Sequence, residues 1–557
     1  MLIRLPLALA IALLLAWYVP FVRTAGERFA RWLEHPRWAP LAIALLTTVI
    51  LTLAWGSWRE IPIIHDEASY LFQAKLFASG HWTAPSPPVP EFFEQFHVFV
   101  VPHYASKYPP GHALLMVPGI WLGLPGMMPV LLSAAAAALV FSIARRITNA
   151  TIAFWTWVWW ISTPFVLWIL ASYFSQSTSI FVWMLGWYAL VRWREGGEQW
   201  LLLVAASVAW LAFTRPLTAV AYALPVGVYV LWRVARTKQY ASLGRAMALG
   251  AAMLLVIPFW SAKTIGSVRE TPYALYSRMY FPWDSPGFGL DSTPPMRALP
   301  PDMALIAKYT APTHRDYVPA ALPATFAARA FYVAKDVWGP PRVILCVLAL
   351  IGLTALTAEL AFGLASAVSL LVAYLWFGHG ATWTVYYTET QPVLAMLVAL
   401  GFWRLLNLRV PSPDGSPRAR VPRPLVAGMS LLVAVMAVQF TWFMIVAAHN
   451  TVVQARDYQK TFIDAISRIP DRKAIVFVRY ADDHNPHLSL VYNDPDLADA
   501  PRWIVYDRGA DNERLLRAAP GRTAYIYDEP RHQIRTWVAA QDTVMPKESL
   551  AGRTASR

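Results

Sequence analysis

The sequence has little charge and almost no cysteine. Only 14% of its 557 residues are Asp, Glu, Lys or Arg, whereas about a quarter is usual in globular chains. This composition argues against a chain that is soluble as a whole and indicates one surrounded mostly by lipid. The single cysteine, Cys346, lies in a hydrophobic run, so no disulfide can form within one chain. No period of about 20–50 residues repeats, which argues against a solenoid.

Long hydrophobic runs are what the sequence has instead. Runs such as 39–55 and 425–446 approach or exceed the roughly 20 residues that cross a bilayer as a helix. Because the backbone must satisfy its own hydrogen bonds in lipid, many such runs predict a helical bundle. The expected fold class is an α-helical polytopic membrane protein with about twelve transmembrane helices. The predicted spans are 5–22, 39–57, 127–144, 151–170, 176–191, 199–213, 217–232, 246–262, 343–357, 360–377, 391–406 and 424–447.

The basic residues indicate how these spans are oriented. A net charge of +14 could suggest nucleic acid, but the basic side chains concentrate in short loops, as in the positive-inside pattern of membrane proteins. We therefore expect no nucleic-acid partner, and we place these loops in the cytoplasm of a bacterium whose inner membrane holds the protein. They contain Arg23, Arg28, Arg31 and Arg37; Arg145 and Arg146; Arg192 and Arg194; Arg233, Arg236, Lys238 and Arg245; and Arg409, Arg418, Arg420 and Arg423.

This orientation divides the chain into three parts. Residues 1–38 form an anchor helix and a basic loop; the run lacks a small-residue cleavage site, so we expect it to be retained. Residues 39–447 form the membrane domain, with outer loops at 58–126, 263–342 and 378–390. The second outer loop is rich in proline and predicts turns and no regular domain. The short run 113–124 predicts a re-entrant or juxtamembrane helix.

Residues 448–557 form the third part, where the composition becomes polar. Strand-like runs at 474–478, 503–506 and 523–527, with a helix predicted over 511–519, indicate a small α/β domain on the outer, periplasmic side. Five residues near its first strand are of site-forming types, but a solvated surface explains them better. They are Arg479, Asp482, Asp483, His484 and His487.

The first outer loop contains the residues best suited to chemistry. Asp66 and Glu67 follow the second span directly, and charged groups at such depth are usually functional. The apolar pattern after them predicts an amphipathic interfacial helix ending at Gly80. A carboxylate at its start suits a general base, because partial burial raises its pKa toward the working pH. The alternative is that one carboxylate caps the helix.

Lys107 and Arg215 are the candidate phosphate-binding cations. A departing phosphate gains negative charge, and preorganised cations stabilise that charge in a low-dielectric site. The alternative for both is that they reach out to lipid headgroups. The loop also contains five histidines, but no compact zinc motif; a single divalent ion, Mg²⁺ or Mn²⁺, on Asp66 or Glu67 stays open. The five are His65, His81, His97, His103 and His112.

Several short motifs resemble those of the glycosyltransferase C (GT-C) superfamily, which includes protein O-mannosyltransferases and lipid A aminoarabinose transferases. The Asp66-Glu67-Ala68 start and the 107–111 segment Lys-Tyr-Pro-Pro-Gly are similar to the first outer loop of these enzymes. Thr214-Arg215-Pro216, and Tyr387 with Pro392, resemble two further motifs. Two departures stand out: 172–177 lacks a common acidic residue, and Tyr386 stands where a basic residue is common.

The resemblance implies a polyprenyl-phosphate sugar donor, transfer with inversion, Asp66 as catalytic base and Lys107 at the lipid phosphate. The absence of a Gly-rich nucleotide loop agrees with a donor that arrives through the membrane. We expect a hydroxyl acceptor on a protein, lipid or polysaccharide. The remaining pocket residues expected are Glu67, His65, Tyr70, His112, Tyr387 and Glu389.

Two other functions compete with sugar transfer. A membrane phosphatase or ligase acting on the same lipid would release phosphate without transferring sugar. In a transporter or flippase, Asp66 would carry protons and no bond would form. Transporters usually place ionisable residues at mid-membrane and are built from related halves, and neither feature is visible in this sequence.

Overall fold

The protein is described by a computed structural model that covers residues 4–340, 342–407, 409–410, 419–420 and 423–539. Most of the predicted cytoplasmic linker 407–423, and the last residues from 540 onward, lie outside this range. The first ten helices are α1 Arg4–Tyr18, α2 Pro20–Leu33, α3 Trp38–Trp55, α4 His65–Ala78, α5 Gly111–Trp121, α6 Met127–Ile147, α7 Ala150–Ile161, α8 Pro164–Ile169, α9 Gln176–Glu195 and α10 Trp200–Ala212.

Eleven further helices and eight strands complete the described structure. The helices are α11 Pro216–Thr237, α12 Tyr240–Leu254, α13 Val256–Ile265, α14 Pro272–Tyr280, α15 Pro301–Arg315, α16 Leu322–Trp338, α17 Ile344–Leu353, α18 Ala358–Ala373, α19 Gln391–Leu406, α20 Arg423–Ser467 and α21 Asn512–Ala518. The strands are β1 Val98–Phe99, β2 Ala105–Ser106, β3 Arg409–Val410, β4 Ala419–Arg420, β5 Ala474–Arg479, β6 Arg502–Tyr506, β7 Thr523–Asp528 and β8 Gln533–Thr536.

The chain is a multi-pass membrane protein. Within the described residues, six helical segments are long and apolar enough to cross a bilayer. They are Trp38–Trp55, Met127–Ile147, Pro216–Thr237, Tyr240–Ile265, Ala358–Trp376 and Pro424–Ser467. Four further apolar helices, among them Ala150–Ile161 and Ile344–Leu353, are shorter. The expected number of twelve spans therefore stays a prediction.

Two predicted spans are interrupted by proline. The run 5–22 is divided into α1 and α2 at Val19, which is extended with φ −108° and ψ 92° before Pro20. The run 151–170 is divided into α7 and α8 in the same way, because Thr163 is extended before Pro164. Proline has no N–H to donate and disfavours helical backbone in the residue before it. Each run therefore yields two helices where one was predicted.

The second outer loop is more regular than predicted. It contains α14, α15 and α16, and two of these begin at a proline, Pro272 and Pro301. Proline suits the first turn of a helix, where its missing N–H would have had no partner anyway. Two of the prolines that predicted turns thus mark helix starts, whereas Pro282 and Pro286 lie in turns and bends, as predicted. The 3₁₀ segment Thr384–Thr390 lies in the third outer loop.

The C-terminal α/β domain is present as predicted. Its sheet has the order β6–β5–β7–β8, with β5 parallel to β6 and β7, and β8 antiparallel at the edge. One face packs on the end of α20, where the rings of Phe462 and Tyr527 lie 4.9 Å apart. The other face packs on the first outer loop, where Phe93 meets Trp503 at 5.3 Å. The sheet is therefore held against the loop that carries Asp66.

Candidate active site

Asp66 lies in the first turn of α4, and its side chain is 28% exposed. The Tyr108 hydroxyl donates a hydrogen bond to Asp66 Oδ1, and His65 Nδ1 lies 3.0 Å from Oδ2. Burial alone would raise the pKa of Asp66, but His97 and His65 hold it well below its usual value. The carboxylate is therefore ionised at neutral pH and reachable from outside.

Glu67 points the other way and is completely buried. Its Oε2 accepts a hydrogen bond from the Ile63 backbone N–H at 2.7 Å, just before the helix begins. Burial raises the pKa of Glu67 to about 7, although the Ile63 N–H and Arg456 oppose the rise. Of the two acids, Glu67 thus ties the start of α4 to the segment before it, and Asp66 is the one that solvent can reach.

Two further histidines surround Asp66. His97 Nε2 lies 3.7 Å from Asp66 Oδ1 and 2.9 Å from His65 Nδ1. His487, in the C-terminal domain, places its Nδ1 3.3 Å from His65 Nε2. His487 is exposed, as predicted, but it also contacts the site across the domain boundary. The prediction of a solvated surface is wrong for His484, which is buried and whose Nδ1 lies 2.8 Å from Glu529 Oε1.

Lys107 is buried, and aromatic rings surround its ammonium group. The Nζ atom lies 4.3 Å from the ring centroid of Tyr273, 4.8 Å from that of Tyr276 and 5.4 Å from that of Tyr108. Burial lowers the pKa of Lys107, while Asp284 and Asp66 oppose the decrease. Because Tyr108 touches both the ammonium and the Asp66 carboxylate, the predicted base and the predicted cation share one site.

Arg215 reaches the same region from the start of α11. The turn that follows Lys107 packs against the residues just before α11. There the Gly111 N–H donates a hydrogen bond to Phe213 O at 2.7 Å. A Cβ at Gly111 would lie 2.2 Å from Thr214 Oγ1, so only glycine fits here. The buried Arg215 guanidinium donates to the Tyr374 hydroxyl at 3.1 Å. The two cation-bearing segments are therefore in direct contact.

Tyr70 and His112 form the wall behind Asp66. Tyr70 stacks on Tyr108 with centroids 4.4 Å apart, and His112 meets Tyr70 edge-on at 5.0 Å. Both ring nitrogens of His112 have partners, Thr178 Oγ1 at 2.8 Å and Tyr173 O at 2.9 Å. His112 therefore joins α5 to the start of α9, whereas the Tyr70 ring supports Tyr108.

The third outer loop covers the Arg215 side of the site. Tyr387 is buried and contacts His379 Nε2 through its hydroxyl at 3.1 Å. Glu389 is buried and accepts a hydrogen bond from Ser179. The neighbouring Tyr386 turns toward the site, with its ring centroid 5.7 Å from the Arg215 guanidinium carbon. Tyr386, where a basic residue was expected, thus faces the cations, and Tyr387 lies behind it.

Two expectations about Asp66 and its helix are wrong. The pKa of Asp66 is lowered, not raised, because the two histidines outweigh burial. The helix α4 is not an amphipathic interfacial helix, since its buried residues occupy well over half of its circumference. Phe72 and Leu76 pack in one cluster with the C-terminal sheet, and Lys75 pairs with Asp494 of the same domain at 2.8 Å.

Several residues near the site were missed by sequence reasoning. Asp284, in the second outer loop, has its pKa raised to about 6 by burial, while Lys107 opposes the rise. Tyr273 and Tyr276 come from α14, in a loop that predicted only turns. Tyr273, Tyr276 and Tyr280 are spaced by three and four residues, which places them on one face of a helix. That spacing could have predicted the helix α14 from the sequence.

The arrangement combines an exposed carboxylate with two buried cations. Asp66 can accept a proton from a bound hydroxyl, because its Oδ atoms carry negative charge and can be approached from solvent. Lys107 and Arg215 provide positive charge in a site that is largely closed to water, where charge stabilisation is strongest. A chemistry that removes a proton and creates an anionic leaving group fits this arrangement.

Comparisons with known proteins identify the fold. No protein-family model matches the sequence, and no curated protein matches it. The solved structure of ArnT from Cupriavidus metallidurans bound to undecaprenyl phosphate has a TM-score of 0.51 at 14% identity, covering 89% of this chain and 94% of that one. Its apo form gives 0.49 at 15% identity, covering 88% and 93%. An Archaeoglobus fulgidus oligosaccharyltransferase gives 0.40 at 12%, covering 85% and 64%.

ArnT is an aminoarabinose lipid A transferase, and these neighbours are all GT-C glycosyltransferases. The predicted resemblance to the GT-C superfamily is therefore confirmed at the level of fold.

Proposed function

We propose that the protein is a membrane glycosyltransferase that uses a polyprenyl-phosphate sugar as donor. The sugar passes to a hydroxyl group of an acceptor on the periplasmic face, with inversion at the sugar carbon. The observation that carries this proposal is the sharing of Tyr108 by Asp66 and Lys107. This shared contact supports a base and a phosphate-binding cation that act together on one bound donor and one bound acceptor.

Asp66 is the base in this reaction. The acceptor hydroxyl gives its proton to the Asp66 carboxylate as its oxygen forms a bond to the sugar carbon. Tyr108 fixes the carboxylate by donating to Oδ1. The lowered pKa of Asp66 keeps the carboxylate ionised, so that it can accept a hydrogen bond from the acceptor hydroxyl. It also makes the carboxylate a weaker base, so the proton moves only as the acceptor oxygen bonds to the sugar carbon.

Lys107 and Arg215 stabilise the leaving group. As the bond between the sugar carbon and the phosphate oxygen breaks, its electron pair leaves on the lipid phosphate. Two buried cations near that oxygen lower the barrier, because their charge acts in a low-dielectric site. Attack from the Asp66 side and departure toward the cations place the two oxygens on opposite faces of the sugar, which inverts the carbon.

The fold supports the choice of donor. ArnT, which has this fold, was solved with undecaprenyl phosphate bound. A lipid donor diffuses in the bilayer and enters the site from the membrane side. We therefore assign this chain a polyprenyl phosphate carrying one sugar, and a periplasmic site opening toward solvent at Asp66.

The test is sugar transfer by the purified full-length protein in detergent. A set of polyprenyl-phosphate sugars is incubated with protein, lipid and polysaccharide acceptors, and products are identified by mass spectrometry. Asp66→Asn should lower kcat by at least about 100-fold, in the range removed with a general base. The matched control is Asp494→Asn, whose carboxylate is exposed and pairs with Lys75 at 2.8 Å; its activity should match the wild type.

Three outcomes would refute this function. Full transfer by Asp66→Asn removes the base. Release of phosphate without a glycosylated product identifies a phosphatase. Movement of the lipid across liposome membranes with no new bond identifies a transporter.

A further inference from the structure

Three ligand-forming groups meet at the start of α4. His65 Nδ1 lies 3.0 Å from Asp66 Oδ2 and 2.9 Å from His97 Nε2, and one ligand atom from each residue lies within 4.8 Å of the others. Ligands in a tetrahedral shell with metal–ligand distances near 2.1 Å are themselves about 3.4 Å apart. The three groups, which contact one another directly in this structure, are therefore close enough together to share one ion.

His97 is held in a backbone conformation that few residues adopt. Its φ is +64°, in the left-handed region. Three hydrogen bonds fix it: its N–H donates to the Tyr276 hydroxyl at 2.7 Å, and its carbonyl accepts from Ser69 Oγ at 3.0 Å and from the Lys107 N–H at 2.9 Å. Such strain persists where the surroundings over-determine it, and it clusters at functional sites.

His65 is held between two rings. Phe96 stacks on one face with centroids 4.4 Å apart, and the His487 ring is parallel within 19° at 5.5 Å. The contact of His65 Nε2 with His487 Nδ1 at 3.3 Å leaves Nδ1 of His65 pointing at Asp66. A hydrogen bond on the second ring nitrogen is what fixes the tautomer of a metal-binding histidine.

We propose that His65, Asp66 and His97 bind one divalent transition-metal ion, with His487 as the outer partner of His65. This deepens the proposed function, because Asp66 is also the proposed base. Two imidazoles and one carboxylate favour Zn²⁺ or Mn²⁺ over Mg²⁺, which prefers oxygen ligands. Three protein ligands leave at least one position open. The Asp66 side chain is 28% exposed, so a water or substrate oxygen can reach the site.

The ion does not replace the carboxylate as base. Oδ2 faces His65, whereas Oδ1 faces Tyr108. One oxygen of Asp66 can therefore bind the metal while the other remains available to a hydroxyl proton. The C-terminal domain takes part through His487, which lies 422 residues from His65 in sequence.

The test is metal binding by the full-length protein in detergent, after treatment with a chelator. Isothermal titration with Zn²⁺ and with Mn²⁺ should show one site, and bound Co²⁺ should give the absorption of a low-coordinate complex. His97→Asn removes one ligand but suits the backbone, because asparagine tolerates a positive φ. It should weaken binding by more than about tenfold, and His487→Ala by about tenfold or more.

The matched control is His81→Asn, the same change at an exposed histidine of the same loop that contacts Ser79. It should bind metal like the wild type. Thermal unfolding without metal checks that each variant is folded, and a folded His65→Ala serves if His97→Asn is not. Equal affinity in wild type and His97→Asn, or no saturable site, overturns the proposal.

Binding and transfer are separate measurements. If the chelator-treated protein transfers sugar at full rate and also shows no saturable metal site on titration, the metal proposal is refuted and the proposed glycosyltransferase function stands. One tightly bound ion in a protein that transfers no sugar would support the metal site and count against the proposed function.

Discussion

Lys107→Met separates a functional cation from a structural one. Taking a cation out of water costs several kcal/mol, and three rings within 5.4 Å of Lys107 Nζ return about 0.5–2 kcal/mol each. These terms nearly cancel, and methionine fills the space of the lysine stem. We therefore expect the free energy of unfolding to stay within about 2 kcal/mol of the wild type.

Phosphate binding should suffer much more. A hydrogen bond to a charged group contributes about 1.5–3 kcal/mol, which corresponds to affinity for undecaprenyl phosphate lower by about tenfold to about 150-fold. Native mass spectrometry measures that affinity without knowledge of the sugar. The matched control is Lys75→Met, an exposed lysine paired with Asp494, which should bind the lipid normally.

The result that would refute this reasoning is a Lys107→Met protein that binds the lipid phosphate like the wild type. A loss of more than about 4 kcal/mol in unfolding free energy would also contradict it, since a loss of that size indicates a structural group. Either result would move the phosphate-binding role away from Lys107.

Three further changes test the surroundings of the site. Burial raises the pKa of Asp284 to about 6, so its favourable contribution is complete at pH 4 and lost as the pH rises through 6; Asp284→Asn should therefore raise the Tm at pH 8 and not at pH 4. His112→Ala removes two buried hydrogen bonds and should cost about 2–4 kcal/mol in unfolding free energy, with a lower Tm. Arg456 donates to Trp55 O at 2.8 Å, so Arg456→Ala should speed limited proteolysis between the membrane and C-terminal domains, whereas unchanged cleavage would contradict this tie.

The sequence singled out Asp66 and Lys107, and the structure places both beside Tyr108. Asp66 stood out because a charge beside a membrane span is unusual, and that signal is contained in a few neighbouring residues. Three strands of the C-terminal domain were also predicted, from strand-like runs in the sequence, and the structure shows that they are parallel. These features depend on short-range chemistry.

The partners that complete the site were not predictable in the same way. His97 lies 32 residues after His65, and His487 lies 422 residues after His65. No spacing rule links histidines that are so far apart in the sequence. Asp284 comes from the proline-rich turns of the second outer loop, far from Asp66 in sequence. The lowered pKa of Asp66 depends on His97 as well as on the adjacent His65, and its direction was therefore missed.

The length of α20 has a mechanical consequence. Its 45 residues extend about 68 Å at 1.5 Å per residue, roughly twice the hydrocarbon thickness. The half of the helix beyond the bilayer therefore carries the C-terminal sheet outside the membrane. His487 stands beyond that end and contacts His65 at 3.3 Å, so the length of α20 sets the height above the bilayer at which the outer domain meets the first outer loop.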